Sequence, residues 1–172
     1  MTIWLVSDTH FGHANILTFT TPTGELIRPG FASVEEMDER MITEWNAVVR
    51  PSDHIYHLGD VAMKQQPFNA IMPRLAGKKR LLRGNHDIFH TKIYARYFEE
   101  IGASRVFDGL ILTHIPIHPE SLGRFTANVH GHIHERPSYG KRYLNVSVER
   151  TEYRPVSLEE VRAAVKMQQE AE

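Results

Sequence analysis

Apolar residues along the chain fall into short unbroken runs and into longer stretches with helical spacing, and the two kinds alternate through the first hundred residues. Residues 2 to 7 are apolar without alternation, the pattern of a strand covered on both faces in a parallel sheet. A helix is expected from Ser33, with Glu36 completing a capping box and Met37, Met41, Ile42, Trp45, Val48 and Val49 on one face until Pro51 ends it. Residues 53 to 58 predict a second strand and 79 to 82 a third. Between them, Phe68 to Leu75 predicts a helix that turns Ala70, Ile71 and Leu75 inward, interrupted at Pro73 and closed by Gly77. Ile93, Tyr97, Phe98 and Ile101 predict a helix over 91–101. After Gly102 the pattern changes: residues 104–107 and 110–113 about Asp108-Gly109 read as a hairpin, and Val129 and residues 143–148 as further short strands. Ser157 and Glu160 form a second capping box for a helix through about Gln168 that packs back on the sheet. This order indicates a layered α/β fold.

Five of the strand-like runs end at once in a residue that can bind a metal or a proton. Ile3 to Val6 leads into Ser7-Asp8-Thr9-His10, and Ile55 to Leu58 into Gly59-Asp60. Leu81-Leu82 leads into Arg83-Gly84-Asn85-His86-Asp87, Leu110 to Thr113 into His114, and Asn128 to His130 into Gly131-His132-Ile133-His134. If these strands are neighbours, their ends build one polar site. The spacing of two in Asp8-x-His10 and His132-x-His134 would, in extended strands, point each pair to one face. Carboxylate and imidazole together suit a hard or borderline divalent metal. With Asp60, Asn85 and His114, seven ligand-type residues are present, about the number two adjacent metals sharing a carboxylate require.

Composition narrows the chemistry. A chain of 172 residues with 41% hydrophobic and 24% charged content fits one domain, residues 1–172, with a real core. No apolar run approaches a membrane span, and Asp8 follows Met1 too closely for a signal peptide, so a cytoplasmic protein is expected. The absence of cysteine leaves only nitrogen and oxygen ligands. A net charge of −1 argues against binding long nucleic acids through counterion release. Eleven histidines exceed what packing needs.

The ordered series Asp8-x-His10, Gly59-Asp60, Gly84-Asn85-His86-Asp87, His114 and Gly131-His132-x-His134 resembles the calcineurin-like metallophosphoesterase superfamily, in particular its small single-domain bacterial and phage members. The match runs from residue 8 to 134 and is specific as a set. The resemblance implies a two-sheet β-sandwich flanked by helices, a four-layer αββα arrangement. It implies a hydrolase of phosphomonoesters or phosphodiesters that uses a dinuclear site and a bridging hydroxide. Asp8, His10, Asp60 and His134 would hold the first metal, and Asp60, Asn85, His114 and His132 the second. His86 would assist the leaving group, with Asp87 orienting its ring. The ions would be manganese, iron, zinc, nickel or magnesium, manganese favoured. The second motif departs from the pattern, because Met63 stands where many members carry a further Asp.

Around this core the sequence offers weaker candidates. Asn85, His13, His118 and Arg28 could touch substrate phosphate, Arg28 by swinging over the site from the irregular stretch 18–31; His13 and His118 could equally be ordinary loop residues. His57 and His130 read as buried structural histidines, and His54 and His90 as surface ones. The basic run Lys78, Lys79, Arg80 and Arg83 reads as a solvated edge. The expected substrate is a small phosphate ester or a nucleotide. Two alternatives are a catalytically silent interaction scaffold of the same fold, against which the intact set including His86 speaks, and a nuclease acting on nucleic-acid ends. Oligomeric state is not encoded in any recognisable pattern.

Overall fold

The structure is a computed structural model and describes residues 1–171. Among the described residues nine strands form two sheets. The first has the order β4-β3-β2-β1-β9, built from β1 (Ile3–Val6), β2 (His54–His57), β3 (Lys78–Leu82), β4 (Glu100–Gly102) and β9 (Val156–Ser157). Its first four strands are parallel and β9 is antiparallel to β1. The second has the order β5-β6-β7-β8, from β5 (Ser104–Phe107), β6 (Leu110–Thr113), β7 (Ala127–His130) and β8 (Tyr143–Asn145). The expected hairpin is its antiparallel edge, while β6, β7 and β8 run parallel.

Period-two alternation sorts each central strand between two cores. Val6, Ile55 and Leu81 face outward into a cluster with Met37, Met41, Trp45 and Phe68, side chains of α1 (Val34–Val48) and α2 (Gln65–Ile71). Leu5, Tyr56 and Leu82 face the second sheet and meet Leu110, Leu112 and Val129. Burying each such side chain contributes about 1.5–3 kcal/mol, so both faces are held and the register cannot slip. α4 (Leu158–Glu170) adds Val161 and Val165 to the inter-sheet core, and Ser157 and Glu160 form both halves of its capping box. The outer face of the second sheet is covered by the short turn Pro119–Leu122, through Ile111, Leu122 and Tyr143.

Several local expectations change. The helix expected over 91–101 stops after one turn, α3 (Thr91–Tyr94), because the chain beyond it meets the free edge of β3. There Glu99 N–H donates to the Lys79 carbonyl at 2.8 Å and residues 100–102 pair with 80–82, so ladder bonds replace helical ones. α2 begins three residues earlier than expected and exposes Ala70, and Phe68 becomes its anchor against Tyr94 and Tyr97 at 5.2 and 5.4 Å. At α1 the capping box is half made. Ser33 Oγ accepts from Glu36 N–H at 3.2 Å, but the Glu36 carboxylate takes the Ala32 N–H. His54, expected at the surface, is half-buried. Among the described residues no helix is long and apolar enough to cross a membrane.

Candidate metal centre

All five site-bearing runs end at the same edge of the sandwich, because the strands that deliver them are parallel within each sheet. The segments after β1 and β2 then travel side by side beyond the sheet: Asp8 N–H donates to the Gly59 carbonyl and His10 N–H to the Asp60 carbonyl, both at 3.0 Å. The second sheet joins the first through Ser7 N–H to the Val146 carbonyl at 3.1 Å, and within the second sheet Gly131 N–H donates to the His114 carbonyl at 2.9 Å.

The ligand pairs do not share a face through extended backbone, as the spacing of two had implied. Asp8, His10, Asp60, His132 and His134 all adopt left-handed backbone, with φ of 60°, 48°, 58°, 68° and 52°. Each such residue costs about 1 kcal/mol against ordinary backbone, less for Asp and His than for branched residues. Three glycines make room for this packing. A Cβ on Gly84 would strike the Asp60 carboxylate, one on Gly131 would strike Ser7 and Asp8, and Gly59 has φ +102° with the Gly84 backbone against it.

The side chains converge in two groups, Asp8 with His10 and His134, and Asp60 with His114 and His132, each with its donor atoms within 4.8 Å of one another. Asp8 uses Oδ2 to accept from His132 N–H and Ser147 Oγ, both at 2.9 Å, and its Oδ1 is buried without a partner. Asp60 divides in the same way. Oδ1 accepts from His86 N–H at 2.8 Å, while Oδ2 lies 3.6 Å from His10 Nε2 and 3.3 Å from His114 Nε2. His114 Nδ1 donates to the Leu58 carbonyl at 2.8 Å, so the neutral ring turns a lone pair at Nε2 toward Asn85 Oδ1, 2.9 Å away, and Asp60 Oδ2. Acceptors facing one another in this way require a cation or a proton between them. His10, buried with neither ring nitrogen bonded, has the same requirement. The donor set therefore fits divalent ions with nitrogen and oxygen ligands.

The electrostatics agree. Burial pushes the Asp8 carboxyl up, only partly offset by His114 and His134. Burial and the nearby Arg28 charge hold His10 well below the usual imidazole range, so it presents a lone pair. Burial acts upward on Asp60 and downward on His114, but with a proton held between them in place of an ion the Asp60 hydrogen bond and the Asp8 and Asp60 charges raise His114, and the His114 hydrogen bond and charge with the His86 amide bring the Asp60 carboxyl down to about 2.

Asn85 and His86 stand exposed at the rim, with the His86 ring 5.5 Å from that of His10. His13 is half-buried, its ring 5.5 Å from His10 and edge-on to Phe19 at 5.6 Å. His118 is exposed and bonded to Glu120 N–H at 3.4 Å, and no contact joins it to the metal-ligand candidates. Two expectations are corrected. Asp87 does not orient the His86 ring: its carboxylate accepts from Asp60, Val61 and Gly84 N–H at 2.7, 3.0 and 2.8 Å, tying the β2 and β3 loops together. Arg28 does not swing over the site, because it is buried beneath it and ion-paired with Glu149.

Glu149 and Ser147 are the residues that sequence reasoning passed over. His134 Nδ1 lies 2.9 Å from Glu149 Oε1, and Ser147 carries the Asp8 bond already described. A signal for Glu149 was present, since the run over 143–148 ends at once in a charged residue like the other five. Asp38, on α1, accepts from Gly12 N–H at 3.0 Å, and burial lifts its carboxyl to about 6.

Comparison with known proteins places this geometry. A family model described as calcineurin-like phosphoesterase matches residues 1–161. The chain is 37% identical over 167 residues to the uncharacterized protein MJ1445 of Methanocaldococcus jannaschii, covering 91% of this chain and 87% of that one. The gene 66 protein of Mycobacterium phage L5 is 32% identical over 88 residues, covering 49% of this chain and 39% of that protein. The crystal structure of AQ665 from Aquifex aeolicus, a protein of unknown function, superposes with a TM-score of 0.75 at 26% identity, covering 94% of this chain and 98% of that one.

Proposed function

The chain belongs to the calcineurin-like phosphoesterase family, and from that premise we propose that it hydrolyses small phosphate esters, mono- or diesters, at a dinuclear centre. Asp8, His10, Asp60 and His134 would hold one divalent ion, and Asp60, Asn85, His114 and His132 the other. When bound, the two ions would acidify a water to the attacking hydroxide and neutralise charge on the phosphoryl oxygens. The observation that carries this reading is Asp60 Oδ2, set between the ring nitrogens of His10 and His114 while Oδ1 is tied to the His86 amide, the posture of a bridging ligand.

The chain's own residues supply the rest. His114 and His134 each donate from Nδ1 to an oxygen behind the site, which leaves Nε2 as the ligand atom. His86, exposed over the site, would protonate the departing oxygen. A cavity of about 380 Å³ opens beside His114 and Asn85, lined also by Arg83, Thr113 and Ile115, and seats the organic part of a small ester or nucleotide.

The test is a panel of chromogenic monoesters and diesters and of 2′,3′- and 3′,5′-cyclic nucleotides, offered to metal-stripped protein reloaded with manganese, iron, zinc, nickel or magnesium. Turnover that returns with two equivalents of at least one metal is the expected outcome. Protein that takes up metal and turns over none of these esters would overturn the reading.

A further inference from the structure

The buried pair Arg28–Glu149 lies behind the first group of ligands and touches nothing of the second. Arg28 donates from Nε to Glu149 Oε1 at 2.8 Å and from Nη1 to the Thr9 carbonyl at 2.9 Å and Met37 Sδ at 3.4 Å. Its Nη2 donates to the Asp8 carbonyl and lies 2.7 Å from Glu149 Oε1. All five guanidinium N–H groups are thereby spent, and none is left for substrate phosphate.

The pose of Glu149 is the second observation. A carboxylate engaged only with arginine prefers the two-oxygen fork. Here Oε1 alone takes the Arg28 contacts and the bond from His134 Nδ1, at 2.9 Å, while Oε2 is buried without a partner. The carboxylate is turned to reach the histidine at the expense of its fit to the guanidinium. A buried ion pair by itself adds little to stability, so strength of folding does not account for this arrangement.

We propose that Arg28 and Glu149 are positioning residues for the first metal of the centre proposed above. Glu149 fixes the His134 ring with Nε2 inward, and Arg28 braces the left-handed backbone of Asp8 through the two carbonyls at Asp8 and Thr9. Met37 and the chain turn at Arg28 fix the guanidinium in turn. The pair thus connects the stretch after β1, the segment after β7 and the turn after β8 at one point beneath one metal.

The test is manganese binding followed by calorimetry and electron paramagnetic resonance on the full chain, wild type, Glu149→Gln and the double variant Arg28→Met with Glu149→Gln. The double variant carries no lone buried charge and so keeps the measurement meaningful if Glu149→Gln folds poorly. The expected result is two coupled ions in the wild type. In both variants one ion should bind about 10–100-fold more weakly, with an isolated-ion signal at low occupancy, while the metal-free double variant melts close to wild type. Equal weakening of both ions, or a lowered melting temperature with both affinities unchanged, would overturn the positioning role. A wild type that takes up fewer than two ions would overturn the dinuclear reading itself, and this proposal with it.

Discussion

The floor of the site and its rim are built by opposite means. On the floor, Asp8, His10, Asp60 and His114 are nearly sealed from solvent, and each carboxylate has one oxygen committed to the fold and the other turned toward the metal groups. At the rim, Asn85 and His86 are exposed, and the stretch 18–31 is held by Arg28, a bridge between Thr20 and Leu26, Phe19 against His13 and Phe31 against Tyr153. The floor is set by backbone geometry and the rim by side-chain reach. The two candidate metal-ligand groups are therefore built by the fold itself.

Substitutions at different depths test this division. The largest effect is expected for Asp60→Asn, which removes the proposed bridge: metal analysis should find both ions lost, and turnover should fall by about 10³-fold or more. Full metal content in that variant would place the bridge elsewhere. His86→Ala should leave metal content near normal and lower kcat by roughly 10²–10³-fold, the range of a lost general acid. Unchanged turnover would remove His86 from the chemistry.

A smaller effect concerns the buried layer under the floor. His57 Nδ1 accepts from Gly59 N–H at 3.2 Å, so Nε2 carries the proton and donates to Thr9 Oγ1 at 3.0 Å, which donates to the Val61 carbonyl at 2.9 Å. Burial holds this ring down to about 3. The unfolded chain therefore binds the extra proton first as the pH falls below about 6.5, and stability should decline from there to about pH 3 by an amount on the order of 5 kcal/mol. His57→Gln should flatten that part of the melting-temperature profile. A profile as steep as wild type would show that other groups govern it. The smallest effect is expected for His118→Ala, whose ring bonds only within its own turn. Turnover within about twofold of wild type is expected there, and a larger loss would show that the 115–126 loop reaches the substrate.

What could be read from the sequence follows the same boundary. The ends of β1, β2, β3, β6 and β7 were legible because a hydrophobic run followed by Asp, His or Asn marks a strand opening into a polar edge, and the two capping serines fixed where α1 and α4 begin. The left-handed turns at the ligands were not, since a spacing of two is compatible with both extended and turned backbone. Residues 95–102 misled for a related reason: Tyr97, Phe98 and Ile101 suit a helix face, but the open edge of β3 offered better bonds to the segment that followed. Arg28 and Glu149 are 121 residues apart, and no local pattern connects them. Asp87 follows His86 directly, yet its oxygens serve the backbone of the neighbouring loop.

The left-handed turns at Asp8, His10, Asp60, His132 and His134 have a further bearing on how such a protein can diversify. Each holds its residue in a backbone conformation tied to that one position, so adding or deleting one amino acid there would turn the donor atoms out of reach instead of shifting them slightly. The candidate ligand segments act as a fixed gauge, and variation is expected in the coverings above it.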